Sequence, residues 1–434
     1  MQLPQHSDLS WVRSFRRAIV RDLDRFYELT EEELGRDRFE TLTADVVPLL
    51  AACKWTERHA ARILRPRRTV GHSIWQIGQR HRVNRVPLGA VGIIATWNYP
   101  IQLLGIQLIH AIAAGNRVTV KPSERSPRTQ EHLLGLAREA GLSEQRLAWT
   151  EPTREAGEAL IKAGGLDHVV FTGSTQVGRQ IASELAKTLT PSTLELSGCD
   201  SALVMGDADP SLAAASIAFA LTLNAGQTCM APRRVIVHAD LHDAFVERLA
   251  EEILLQEPRV VMDAAEQKRA DDLVERAVAQ GARRLDTIDP GVACVLTGCP
   301  IDAQIAAGQH FTPTLAVIRA HSDESVLASH RRFPQHLAVS VFTSSPRERR
   351  AEVADFRATV VTFNDCVVPT GHPGLSIGGI GPSGWGRSRG AEGLLAMTRP
   401  VYVTTTPRRI RIPTDPPTLR VRSALDGFVR RRYG

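Results

Sequence analysis

From residue 86 onward the chain alternates short apolar runs with helical stretches, and this rhythm limits the fold more than any other feature. "GAVGIIATW", "NRVTVKPS", "LDHVVFTGS", "STLELSG" and "SALVMGDAD" are strand-like. Between them "PIQLLGIQLIHAIAAG", "SPRTQEHLLGLAREAGL" and "TQVGRQIASELAKTL" have helical spacing. Alternation of this kind predicts βαβ units and a parallel sheet. The first helix closes on Gly115, a good residue just past a helix end. The second opens at Ser126-Pro127, a cap followed by a first-turn proline. The rhythm runs on through "DPSLAAASIAFALTLNAG", "RRVIVHAD" and "LHDAFVERLAEEILL", and resumes at "HLAVSVFTSS", "RERRAEVADF" and "ATVVTFND".

The flanks differ. Residues 10–65 carry many charges at helical spacing and predict surface helices that each bury one apolar stripe. Around 75–87, "WQIGQRHRVNRVPLG" alternates weakly and predicts a hairpin or an exposed ribbon. The end, "PRRIRIPTDPPTLRVRSALDGFVRRRYG", holds eight Arg against two Asp and reads as an appendage. A solvated or subunit-wrapping tail is the plain reading of it, and weak contact with an anionic membrane surface is the other.

Aromatic residues make up 5% of the chain, which argues against a nucleic-acid binder that works by stacking. Only five of the 53 basic residues are Lys, so each retained Lys merits attention. The six cysteines (53, 199, 229, 294, 299, 366) lack the paired spacing of a zinc site and read as free thiols of a cytoplasmic protein. His238 and His242 are four apart, but no Glu follows the first, so no metal site is expected. The start lacks a signal-peptide core, and no apolar run reaches the ~18 residues of a membrane span.

Several strand ends carry candidate chemistry. In an open parallel sheet, ligands gather outside the carboxyl ends of the strands. Asn98 stands there in "ATWNYP", where its side-chain amide could help form an oxyanion hole. Lys121 and Glu124, in "VTVKPSE", suit the hydroxyls of a nucleotide ribose. "FTGSTQVG" places Gly173 and Gly178 around a helix start that favours a phosphate. Glu195, in "STLELSG", could take a proton from water or a thiol. Cys229 follows a helix in the Gly/Pro-punctuated loop "NAGQTCMAPR" and is a candidate nucleophile. Each residue alone also has a structural explanation.

Together, in this order, "TWNYP", "KPSE", "FTGSTQVG", "LELSG" and "GQTCMAP", with "FTPTL" and "GGIGPSGWGR" later, resemble the aldehyde dehydrogenase superfamily. The short N-terminus and the last two motifs are most similar to its class 3 and coniferyl-aldehyde branch. The resemblance spans roughly residues 10–405. It implies an α/β fold with a Rossmann-like parallel-sheet NAD(P)-binding domain (1–68 and 88–197) and an α/β catalytic domain (198–398). It also implies a small β oligomerisation extension (69–87 and 399–406), which leaves a basic tail (407–434).

The activity implied is oxidation of an aldehyde to an acid in a homodimer, with NAD or NADP. Cys229 would form a thiohemiacetal and then a thioester, Asn98 and the Cys229 N–H would hold the oxyanion, and Glu195 would activate water. Trp97, Lys121, Ser123, Glu124, Gly173, Ser174, Val177 and Leu196 would meet the cofactor.

The chain departs from the pattern twice. The family's Glu-Leu-Gly-Gly-Lys is "ELSGC" here, with Ser197 and Cys199 in the last positions that differ. The family's Glu-Glu-Ile-Phe-Gly-Pro, whose second Glu holds the nicotinamide ribose, is replaced by "SHRRFPQHLAV". That puts His330, Arg331 or Arg332 where a carboxylate belongs and predicts a looser nicotinamide or a shift toward a phosphorylated cofactor. Two other readings stay open: an acyl-thioester reductase, against which Glu195 speaks, and a cofactor-binding or assembly protein that has lost efficient catalysis.

Overall fold

The structure is a computed structural model that describes residues 9–69, 79–259, 261–308, 310–333, 337–406 and 416–434. The N-terminal helices Ser10–Arg21, Leu23–Leu34 and Val47–Leu64 follow the expected amphipathic pattern. In the first, Trp11, Val12, Phe15, Ala18 and Ile19 recur on one face and are all buried. The second ends at Gly35 (φ 61°), whose N–H reaches Glu31 O at 2.9 Å, while Arg36 N–H turns back to Thr30 O at 3.3 Å.

These helices pack on the helices Gln102–Ala113 and Pro127–Glu139, which cover one face of a six-stranded sheet. Its order is Gly384–Trp385, Ser192–Leu196, His168–Gly173, Ala90–Ile94, Arg117–Lys121, Leu147–Trp149, and all neighbours are parallel except the first pair. The chain builds outward from Ala90–Ile94 in one direction, then returns to lay His168–Gly173 on its other side. That reversal makes a topological switch point, and the carboxyl ends around it open onto a crevice. The crossover helix Gln102–Ala113 is buried along its whole length, which is why "QLLGIQLIHAIA" has no charged face. Gly115 (φ 99°) follows it as expected. Ser126 does precede the helix Pro127–Glu139, but its hydroxyl caps nothing. Glu33, from the N-terminal helices, accepts from the N–H groups of Arg128 (2.8 Å) and Thr129 (3.1 Å) instead. A carboxylate brought by tertiary packing has displaced the local cap.

A second sheet has seven strands in the order Arg283–Arg284, Cys294–Thr297, Thr314–Ala320, Pro232–His238, Asp200–Val204, Ala338–Phe342, Val360–Phe363. Only its first pair is antiparallel. Apolar clusters cover both faces, so its strands read as near-continuous hydrophobic runs. "RERRAEVADF" forms a 3-10 helix, Glu348–Phe356, rather than an α-helix.

A third, three-stranded sheet pairs Arg80–Pro87 with Thr398–Thr405 over eight residue pairs, and Arg67–Arg68 adds a short edge. The ribbon expected at 69–87 therefore exists from Arg80; residues 70–78 lie outside the described residues. So do 407–415 of the tail. The helix Leu419–Tyr433 buries none of its residues.

Candidate active site

The Cys229 loop is stiff. The helix Pro210–Thr222 begins with the Asp209 carboxylate accepting from the N–H groups of Ser211 (2.9 Å) and Leu212 (3.3 Å). After it, Asn224 (φ 53°), Ala225 (φ 52°) and Gly226 (φ 70°) are all left-handed. A Cβ on Gly226 would stand 2.4 Å from the Pro313 backbone nitrogen, so only glycine fits. Arg233, fully buried, donates to the carbonyls of Thr312 (2.8 Å), Gly226 (2.8 Å) and Thr228 (3.0 Å). One guanidinium thus satisfies three buried acceptors around the cysteine.

Asn98 is tied to that loop. Its Nδ2 donates to the Gln227 carbonyl at 3.0 Å, and its Oδ1 accepts from the Thr96 hydroxyl at 3.1 Å. These two bonds fix which way the amide faces. The carbonyl of Asn98 accepts from Arg36 and, at 3.0 Å, from Asn224 Nδ2. Arg36 is itself buried and paired with Asp45 at 3.2 Å, and Asp45 accepts the N–H of Gln102. Burial pushes the Asp45 carboxyl up to about 6, against the pull of Arg36. The N-terminal helices therefore reach the site through one ion pair, which the sequence pattern did not reveal.

Glu195 stands next to last in the strand Ser192–Leu196 and is buried. The strand Gly384–Trp385 comes back from the far end of the chain and pairs with it, Gly384 opposite Glu195. A Cβ on Gly384 (φ 101°) would meet the Leu194 carbonyl at 2.0 Å. This pairing delivers Ser388, whose hydroxyl donates to Glu195 Oε1. Burial raises the Glu195 pKa above the usual carboxylate range, while Arg389, the Ser388 hydrogen bond and Arg387 oppose it. Burial likewise pushes the Cys229 thiol up to about 12, the charge of Glu195 adding to this and Arg389 opposing it. At rest the sulfur is a thiol.

The expected catalytic residues Cys229, Glu195 and Asn98 line one cavity of about 850 Å³ with Trp97, Lys121, Ser123, Glu124, Gly173, Ser174, Val177 and Leu196, and Gly178 is not in its wall. Lys121 is ion-paired with Glu124, and its stem packs 3.6 Å from where a Cβ on Gly157 would lie. Ser123 is buried; its N–H donates to Gln130 Oε1 at 2.7 Å, and its hydroxyl accepts from the Arg125 N–H at 3.2 Å. Ser174 caps the helix Thr175–Ala186 by accepting from the Val177 N–H at 3.3 Å, so that helix directs its positive end to the cavity. Trp97 carries the Arg125 guanidinium 5.1 Å above its ring and meets Phe311 edge-on. A lysine–carboxylate pair and a helix N-terminus along one wall fit a dinucleotide.

The two departures resolve differently. At "ELSGC" the Arg234 guanidinium reaches the Cys199 sulfur at 3.1 Å and also donates to the Cys199 carbonyl, so a cation from a neighbouring strand stands beside this position. The expected placement of His330, Arg331 and Arg332 does not hold. The strand Thr314–Ala320 runs into the helix Asp323–Arg331 with only His321 and Ser322 between them. His330 is buried at the end of that helix against Phe356, and Arg331 pairs with Asp355 at 2.9 Å. Of the described residues from 321 to 337, only Leu337 lines the cavity. The basic residues do not replace a ribose-binding carboxylate; they lie elsewhere.

Sequence reasoning also missed Arg233, Ser388 and Arg389, the last of which lines the cavity. "GGIGPSGWGR" signalled that the segment mattered, but nothing local said that it would pair with "STLELSG".

The Aldehyde dehydrogenase family profile matches residues 2–403, and the chain belongs to that family of oxidoreductases acting on aldehydes. A "Probable coniferyl aldehyde dehydrogenase" of Pseudomonas aeruginosa is 30% identical, over 92% of this chain and 86% of the relative. A phenylacetaldehyde dehydrogenase of Pseudomonas fluorescens is 32% identical over 73% of this chain and 67% of the relative. The crystal structure of a Mycobacterium tuberculosis aldehyde dehydrogenase complexed with NAD+ superimposes with a TM-score of 0.85 at 25% identity, over 92% of this chain and 85% of that one.

Proposed function

We propose that this protein oxidises an aldehyde to a carboxylic acid through a covalent Cys229 adduct, with NAD or NADP as cofactor. The observation that carries the reading is the convergence of Cys229, Glu195 and Asn98 on one cavity that Lys121, Glu124, Gly173 and Ser174 also line. Lys121 and Glu124 hold the adenosine ribose. The start of the helix Thr175–Ala186 takes the pyrophosphate, while Val177, Leu196, Ser123 and Trp97 shape the walls. When bound, the nicotinamide supplies the hydride acceptor between the thiohemiacetal and the thioester.

With the thiol held up to about 12, its proton passes to the Glu195 carboxylate, whose charge it feels, as the sulfur–carbon bond forms, and Glu195 releases that proton to solvent before the second half. The carbonyl oxygen gains negative charge and is met by Asn98 Nδ2 and the Cys229 N–H. In the second half Glu195 takes a proton from water. The water oxygen bonds to the acyl carbon, and the carbon–sulfur bond breaks to return the thiol.

A homodimer through the strand Thr398–Thr405 suits its place at a sheet edge, where Tyr402 and Val403 are exposed. Six free cysteines suit a reducing, cytoplasmic setting. The test is to mix purified protein with medium-chain and aromatic aldehydes plus NAD or NADP, and follow reduced cofactor and acid. Cys229→Ser removes both signals. Oxidation of reduced cofactor that depends on acyl-CoA would transfer the chain to the thioester-reductase reading.

A further inference from the structure

The cations that line the cavity are nearly all neutralised locally. Lys121 pairs with Glu124, Arg125 with Asp263, Arg154 and Lys162 with Glu158, and Arg269 with Glu266. Arg389 differs. Among the described residues no carboxylate stands within ion-pair distance of it. Its Nη1 donates to the Thr370 carbonyl at 3.2 Å, and its Nε is buried without a partner. A guanidinium has five N–H donors, and a half-buried one left so poorly satisfied is unusual. The surroundings sharpen the point. Cys229 packs against an apolar cluster that includes Met230, Leu337 and Ile377, and these three line the cavity with Arg389. A cation bordering an apolar wall is set up to be paired by something that enters from outside.

Resting on the aldehyde-oxidising reading above, we propose that Arg389 is a substrate-binding residue and that the preferred substrates are short aldehydes carrying a second, anionic group, such as ω-oxo carboxylates. The aldehyde carbon meets Cys229, the methylene chain lies on Met230, Leu337 and Ile377, and the far carboxylate pairs with Arg389. Glu195 does not take that place. Its Oε1 is held by Ser388, and no ion pair with Arg389 forms.

The experiment compares the semialdehydes of succinate, glutarate and adipate with butanal, pentanal and hexanal, in the wild-type protein, Arg389→Leu and Arg389→Lys. A charge-assisted contact of this kind predicts that kcat/KM favours the semialdehydes by about 10- to 100-fold. That preference collapses toward unity in Arg389→Leu, chiefly through KM, and returns in part in Arg389→Lys. A second readout needs no cofactor: protection of Cys229 from iodoacetamide, read on its peptide, at lower concentrations of semialdehyde than of the matching neutral aldehyde. Protection with this preference but no reduced cofactor would sustain Arg389 and sink the oxidation reading. Equal turnover and equal protection by both classes would overturn Arg389 while leaving oxidation in place. A uniform loss for both classes in Arg389→Leu, with a shifted acid limb, would overturn it too, by assigning Arg389 to Glu195.

Discussion

The Ser388 hydroxyl donates to Oε1 of Glu195 across 193 positions of sequence, and the pairing of Gly384–Trp385 with Leu194 and Glu195 holds it there. The bond matters because Glu195 is buried and needs help to carry charge. Without it the only opposition to burial comes from Arg389 and Arg387, at longer range.

Ser388→Ala therefore raises the Glu195 pKa further. A hydrogen bond to a charged group contributes about 1.5–3 kcal/mol, equivalent to roughly one to two pKa units. In the wild type the acid limb of kcat already lies above the ordinary carboxylate value of 4.5, because burial is the largest influence. In the variant that limb moves up by about one unit or more. A pH profile of kcat that coincides with the wild type's would remove the base role from Glu195 or the bond from its support.

Asn98→Ala tests the oxyanion site. Losing one such donor costs about 10²–10³ in kcat, with KM changed much less. The Asn98 amide also holds the Gln227 carbonyl of the cysteine loop, so its removal could loosen Cys229 instead. Alkylation of Cys229 separates the two effects. An unchanged alkylation rate with a large fall in kcat assigns the loss to the oxyanion, whereas a changed rate assigns it to the loop.

The alternation of apolar runs and helices was enough to read βαβ units and a parallel sheet, because parallel strands covered on both faces are short and apolar; the strands Leu147–Trp149, Cys294–Thr297 and Thr314–Ala320 were not read from it. The strand-end residues were legible for a related reason: a switch point gathers carboxyl ends, so Asn98, Lys121, Gly173 and Glu195 meet although they are scattered in sequence. Long-range partners were not legible. Arg36 reaches Asn98, Glu33 displaces Ser126 as a cap, and Ser388 finds Glu195, each through packing that no local pattern encodes. His330 misled for a different reason. Aligning a motif by position says nothing of packing, and His330, at the end of the helix Asp323–Arg331, is buried against Phe356 instead of lining the cavity.

Arg233→Met probes the stiffness of the cysteine loop. The change keeps much of the apolar stem but leaves the buried carbonyls of Thr312, Gly226 and Thr228 without their donor. Each such group costs roughly 1–3 kcal/mol, so a loss of about 3 kcal/mol or more in urea unfolding is expected. Because Arg233 anchors the Gly226 carbonyl next to the strained left-handed residues Asn224 and Ala225, Cys229 should also become more reactive to alkylation and less productive. Stability within about 0.5 kcal/mol of the wild type would show that the loop keeps its shape by other means.

Buried histidines make the fold sensitive to acid before any carboxylate in the ordinary range titrates. His110, His168 and His330 are buried, and burial lowers each to about 4 from an ordinary 6.5. For these three groups the unfolded chain thus binds more protons than the folded one between those values, so their contribution to stability is complete above pH 6.5 and is lost progressively as pH falls toward 4. Asp45 and Asp200, raised by burial to about 6 and about 7, act in the opposite sense. His168, in the strand His168–Gly173, touches the Thr193 hydroxyl at 3.0 Å on the neighbouring strand. Replacing it with Gln keeps a polar partner for that hydroxyl and removes one titrating group. Measured from pH 7 to pH 4.5, the thermal midpoint of His168→Gln should rise relative to that of the wild type as pH falls. Parallel curves for the two proteins would mean that His168 is already protonated inside the fold, or that the acid lability originates elsewhere.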